Sequence, residues 1–336
     1  MRNIRLPTAT LILGSLLSFS CELSVEESIY EERLVVFGNL IANLPLVDTL
    51  FVSLSYEIEE AHELEGKWIS DAEVTLSDGE TLFSLSPVSG KPGRYLDLTF
   101  SHLIRPKTTY ELNVEWKDYV ATATTTVPDT FSLTSIPSSQ WECNDEPVLI
   151  PPIHFYEDDN TPEKIEEALY TGDFTILTMD TVVYREGDCW STSFASIPLF
   201  ILRWEAGFEP GLIRIVSLAL EDTVANAIVD TSLSGVAFKG PMYRDEEGNY
   251  YRPNPFVWNA KQQEQPLSWI YFNYYGPHLM SVVATDQSAH DYFEGDPFRM
   301  NQYVLPNGNI EGGYGLFSSS SSRHFFVYIA PDDSGE

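Results

Sequence analysis

The sequence predicts a mainly β protein, an immunoglobulin- or transthyretin-like β-sandwich followed by a larger β-rich domain with one or two short helices. Three observations predict it. Residues 32–128 carry about seven short runs in which apolar and polar residues alternate, the two-residue period of strands with one buried face. Pairs such as Asp78-Gly79 and Pro92-Gly93 punctuate those runs, as hairpins and tight turns require. The length of 336 residues, 43% hydrophobic and 13% aromatic, is ample for two packed cores.

The chain opens with a targeting pattern. Arg2 and Arg5 precede an apolar run, Leu6 to Leu17, and Ser18-Phe19-Ser20 places small residues before Cys21. A positive region, an apolar region and a small-residue site make a signal peptide over residues 1–20. A cysteine at the boundary is what lipoprotein processing acylates, so Cys21 is the expected lipidation site and the membrane a partner through that lipid. Leu17 sits four residues before Cys21, where a lipobox more usually has Leu three before it, and the serines also suit ordinary secretory cleavage. A retained membrane span is disfavoured because the run is short of the roughly 20 apolar residues a bilayer needs. Residues 21–31, with Glu22, Glu26 and Glu27, read as a solvated acidic tether.

Charge narrows the partners. With 19 basic against 50 acidic residues the net charge is -31, which repels phosphate backbones and excludes nucleic acid as a natural ligand. Once Cys21 is acylated, Cys143 and Cys189 remain, and an even pair in an oxidising compartment reads as one disulfide. Closing their loop restricts the unfolded chain by ~4 kcal/mol. The competing reading is a nucleophile: Cys189-Trp190 with His324 further on resembles a papain-like pairing, yet no Asn follows His324 and the preceding Gly-Ser is missing.

In order, strands are expected over Arg33 to Ala42 and Thr49 to Ile58. Ala72, Val74 and Leu76 alternate with Glu73, Thr75 and Ser77, then Asp78-Gly79 turns into Leu82 to Leu85, the clearest hairpin in the chain. Tyr95 to Leu98, Tyr110 to Trp116 and Val120 to Val127 complete the first domain, residues 32–128. The second spans residues 129–330, and residues 331–336 form an acidic tail. Within the second, Thr161-Pro162-Glu163 caps a short helix to about Leu169. The acidic run Glu157-Asp158-Asp159-Asn160 before it lacks the spacing of a calcium loop. Strands are expected over Phe174 to Tyr184, Ile197 to Trp204, Leu212 to Leu220 and Ser281 to Asp286, a helical turn over Ser288 to Gly295, a Gly-rich turn over Asn309 to Phe317, and a last strand over Phe325 to Ile329.

Aromatic residues crowd the segment from Met242 to Gly276. Alternation puts one set of Trp269 to Tyr275 inward. Pro253 and Pro255 leave Tyr250, Tyr251, Phe256 and Trp258 on or beside a loop, so these four are the candidate binding residues for a small molecule or peptide.

Several stretches also resemble known proteins. Asp71 to Leu76, Pro92-Gly93-Arg94-Tyr95 and Thr109 to Val114 are similar to a carboxypeptidase-regulatory or transthyretin-like sandwich. Ser20-Cys21-Glu22, Leu34 to Leu40, Asp286 with Tyr292-Phe293, and Asn309-Ile310-x-Gly312-Gly313-Tyr314-Gly315-Leu316-Phe317 resemble the Bacteroidota lipoprotein family called domain of unknown function 4249, from Cys21 to about Ile329. That resemblance implies an outer-membrane or cell-surface lipoprotein, often encoded beside TonB-dependent receptors, with no catalytic residues to carry over. The six histidines form no metal motif, no Gly-x-Ser-x-Gly is present, and neither a metal nor a cofactor is expected. The expected function is a non-enzymatic lipoprotein that binds a ligand or serves a TonB-dependent transporter. A surface hydrolase using Asp/Glu carboxylates and a purely structural surface module are the alternatives.

Overall fold

A computed structural model describes residues 30–46, 49–56, 67–185, 188–190, 197–208, 210–228, 243–244, 250–251, 254–260, 263–294 and 307–332. The expected signal peptide, most of the tether and residues 333–336 of the tail lie outside them. Met1–Glu32 and Arg33–Glu336 are separate units, and the architecture below is that of the second.

Seven strands come first: β1 (Leu34–Ile41), β2 (Leu50–Leu54), β3 (Glu73–Ser77), β4 (Leu82–Pro87), β5 (Arg94–Leu96), β6 (Thr109–Trp116) and β7 (Tyr119–Thr126). Their alternation is the reason they are strands. On β6, Tyr110, Leu112 and Val114 are buried while Glu111 and Glu115 are exposed. The β3–β4 hairpin forms at Asp78-Gly79: Ser77 pairs with Leu82, Gly79 takes φ 86°, and Asp78 Oδ1 accepts the Glu80 and Thr81 N–H groups at 3.0 and 2.8 Å. Burial alone would raise the Asp78 carboxyl, but those two N–H groups and Arg105 outweigh it and hold the pKa below the ordinary value.

The second half adds β8 (Ser132–Ser135), β9 (Ser138–Cys143), β10 (Glu146–Ile150), helix α1 (Pro162–Thr171), β11 (Asp180–Val183), β12 (Phe200–Glu205), β13 (Leu212–Ala219), β14 (Tyr243–Arg244), β15 (Tyr250–Tyr251), β16 (Phe256–Ala260), β17 (Glu264–Leu267), β18 (Gly276–Thr285), helix α2 (Gln287–Glu294) and β19 (Gly313–Ala330). Helix α1 starts where the cap sequence predicts: Thr161 accepts from the Lys164 N–H, Pro162 opens the first turn, and Gly172 ends it at φ 72°.

The main sheet runs β16-β13-β18-β19-β1-β2-β5-β4-β3-β6-β7, with β11 also on β19. Strand β19 is its spine. Gly313–Ser320 pair in parallel with β1, Val327–Ala330 pair in parallel with β11, and Ser320–Ile329 pair antiparallel with β18. Thr122 on β7 exchanges backbone hydrogen bonds of 3.0 and 2.8 Å with Glu311, just before β19, so β1 to β7 and β19 close into a ring around a first core that includes Val36, Leu50, Tyr95, Tyr110 and Phe317. A second core, including Phe200, Trp204, Ile215, Trp269, Val282 and Phe325, lies on the inward face of β13, β18 and the far half of β19. The position expected to end the first domain, 128, divides these cores without dividing the sheet: the first core takes residues 34–127 together with Ile310 and Phe317.

Two local expectations are corrected. The Gly-rich segment and the last strand are not separate, because β19 runs unbroken for 18 residues from Gly313. Its serines Ser319, Ser320 and Ser321, to which the sequence assigns no element, are at most 5% exposed, since small hydroxyl side chains fit where the two cores meet. Trp269 to Tyr275 is not an alternating strand either. A 3₁₀ turn at Trp269–Tyr271 leads into it, and Trp269, Tyr271, Phe272 and Tyr274 are all buried.

Candidate functional site

The period of two that buries Ile213 and Ile215 turns Arg214 and Val216 to the opposite, outer face of the sheet. The same rule sends Val257, Val283, Thr285, Ser318, Phe37 and Phe51 to that face from five neighbouring strands. Helix α2 lies beside them, and together they form a cleft of about 420 Å³ that Ala289, Phe293 and Leu316 also line, within the ~300–1,000 Å³ range of small-molecule sites. It spans the sheet from β2 to β16 and so draws residues from both halves of the chain.

Arg214 is the one charged side chain among the described residues lining this cleft. Its guanidinium carbon lies 4.2 Å from the centroid of the Phe293 ring, a cation–π distance. Its Nε is buried and has no hydrogen-bond partner, and burial pushes its pKa below the usual arginine value. At the opposite wall Arg94 stacks 4.6 Å from the centroid of Phe51 and, with Trp68, Lys91 and Pro92, borders a neighbouring hollow of about 630 Å³.

The helix that carries Phe293 is fixed by a buried polar knot. Asp286 Oδ1 accepts the Ala289 N–H at 3.1 Å, capping α2, while Oδ2 accepts from the Thr125 hydroxyl of β7 at 2.5 Å. With its hydrogen committed there, Thr125 accepts from Ser319 Oγ at 2.6 Å. Burial raises the Asp286 pKa, against the lowering effect of its hydrogen bonds to Thr125, Ala289 and Ser288. Asn309 works like a short piece of strand: its Oδ1 accepts the Phe317 N–H at 2.9 Å, and its Nδ2 donates to Phe317 O at 2.7 Å and Thr124 O at 3.0 Å. Gly312 takes φ 77° and Gly315 φ 118°, and a Cβ on either would collide with a carbonyl oxygen, that of Val120 or of Val36. These glycines let β19 approach β7 and β1.

The family described as Domain of unknown function (DUF4249) matches residues 20–325. The chain belongs to that family. No curated protein matches it. The Asn309–Phe317 segment of this DUF4249 protein thus has a structural task, closing the ring, while Asp286 caps the helix whose Phe293 lines the cleft and whose Tyr292 meets Phe37 edge-on at 6.0 Å.

The residues singled out from sequence are dispersed. Cys21 lies outside the described residues. Cys143 and Cys189 form a disulfide with Cα atoms 5.4 Å apart, beside the small cluster of Ile150, Ile197 and Ile201. Bonded in this way, Cys189 is no free thiol for His324. Tyr250 and Tyr251 form strand β15 against β14, with side chains outside the described part. Phe256 and Trp258 sit on the inward face of β16, their rings 6.1 and 6.0 Å from Tyr271 of the second core, so the cleft is on the other side of the sheet from them. Sequence reading missed Arg214. The available signal was a lone charge inside the apolar run Leu212 to Leu220.

A second constellation lies on the same outer face. His324 Nδ1 is 2.7 Å from Ser281 Oγ and its Nε2 2.8 Å from Ser322 Oγ. Ser281 sits mid-strand with both edges of β18 paired to β13 and β19, so its neighbouring N–H groups are committed to the sheet rather than poised as oxyanion donors. Among the described residues no helix is long and apolar enough to cross a membrane.

Proposed function

We propose that the chain is a non-enzymatic, lipid-anchored protein of the outer membrane or cell surface of a Bacteroidota bacterium, which binds a ligand in the outer-face cleft and serves a TonB-dependent transporter. The observation that carries the binding reading is the cleft itself: about 420 Å³ of open space lined by one unpartnered cation, hydroxyls and apolar side chains, on strands whose backbones are locked into one sheet. The address is supported by Arg2, Arg5, the apolar run and Ser20-Cys21. The first half is read as a transthyretin-like sandwich, whose Phe37 and Phe51 form part of the cleft. Tagged full chain is used to capture partners from detergent-solubilised outer membranes, with mass spectrometry of proteins and solutes, and cells are labelled with a fatty-acid probe. Recovery of a transporter or solute, and label lost on Cys21→Ser, are expected. Equal labelling of Cys21→Ser would remove the anchor, and turnover of a glycan or peptide panel with no partner recovered would overturn the binding role.

A further inference from the structure

We propose that the cleft takes a small amphiphilic anion, its carboxylate held by Arg214 and its apolar body lying along Phe37, Val216, Val257 and Phe293. This deepens the reading of the cleft as a ligand site and rests on it.

The first argument is charge. In a chain with 50 acidic and 19 basic residues, carboxylates to pair an arginine are abundant, and Arg105 and Arg203 have taken them at 2.8 and 2.7 Å. Arg214 has not, although a half-buried cation without an ion-pair partner is unfavourable. No acidic side chain is present among the described residues lining the cleft, so a ligand's carboxylate would supply the counter-charge that these residues do not. The second argument is shape. Phe293 lies against the guanidinium and Nε is buried, so a planar anion would meet the two Nη groups end-on, a fork-to-fork match that arginine makes with carboxylates. The third is the lining, where isolated hydroxyls stand among aromatic and aliphatic walls. Asn39 and Ser318 already bond to each other at 3.3 Å, which leaves the walls to meet an apolar body. A neutral sugar would leave Arg214 unpaired, and a metal cation would be repelled by it.

The test compares 6-phenylhexanoate with its neutral isostere 6-phenylhexanamide by calorimetry on the full chain and on three variants whose melting curves show them folded. The wild type is expected to bind the carboxylate at least about tenfold more tightly than the amide, a charge-assisted pair being the difference. Arg214→Met should abolish that preference. Arg214→Lys should keep part of it, since charge survives without the fork. Val257→Trp, which fills the cleft from an exposed position, should weaken both ligands. Equal affinities in the wild type, or an unchanged preference in Arg214→Met, would overturn the anion class alone, provided that Val257→Trp still weakens binding. Binding indifferent to Val257→Trp, or no binding of either compound, would overturn both the class and the cleft. A peptide that binds only with a free C-terminal carboxylate, while phenylhexanoate does not, would also defeat the small-molecule proposal.

Discussion

Helix α2 separates two charges with opposite fates. Before its first turn Asp286 is 9% exposed and is met by Thr125 and the Ala289 N–H, so the protein satisfies this charge from its own atoms. Near its far end Phe293 covers Arg214, which the protein leaves with an orphan Nε. A buried polar group that is fully bonded specifies structure, because its partners must converge for it to be buried at all. A half-buried charge that the fold leaves open carries a cost that a ligand can offset. The knot therefore reads as architecture and the cleft as function, although both involve residues of the family resemblance.

The largest test of the contrast strikes the junction. Gly315→Ala would drive a Cβ into the Val36 carbonyl at φ 118°, so the β1–β19 pairing should weaken by more than about 3 kcal/mol, seen as a fall in the urea midpoint or loss of soluble protein. Asp286→Ala removes the cap and the Thr125 acceptor together and should cost about 2 kcal/mol. Asp286→Asn keeps the cap without the charge and is the informative partner. Burial raises the folded pKa of Asp286, so the folded state holds its proton more tightly than the unfolded chain does. The stability this group contributes is therefore present below its unfolded pKa and lost as pH rises through the folded value. Denaturation of both proteins between neutral and acidic pH should show the wild type gaining on Asp286→Asn as pH falls, and a wild type that loses ground to Asp286→Asn on acidification would contradict the assignment. The smallest effect belongs to the cleft: Arg214→Met gives up the contact with Phe293 but no hydrogen bond or ion pair, relieves the burial of the charge, and should leave the melting free energy within about 0.5 kcal/mol of wild type. A loss comparable to that of Asp286→Ala would make Arg214 architectural and erase the distinction.

Local chemistry wrote much of this molecule in its sequence. The alternation of Tyr110, Leu112 and Val114, the turn at Asp78-Gly79 and the Thr161-Pro162 cap each act over a few residues, so composition and spacing alone determined β6, the β3–β4 hairpin and α1. The mainly β class followed from those local signals. What only the tertiary structure decided involves residues far apart in the chain. A buried strand made of serines has no local apolar signature, and Ser319 is buried only because Thr125, 194 residues away, meets its hydroxyl. The four aromatic candidates were read by type, whereas strand pairing decides the face: β16 and β13 align Val257 with Val216 and turn Phe256 and Trp258 to the core. Arg214 was visible as a charge in an apolar run, but its lack of a partner is a property of everything that packs around it, and no local pattern of residues encodes that.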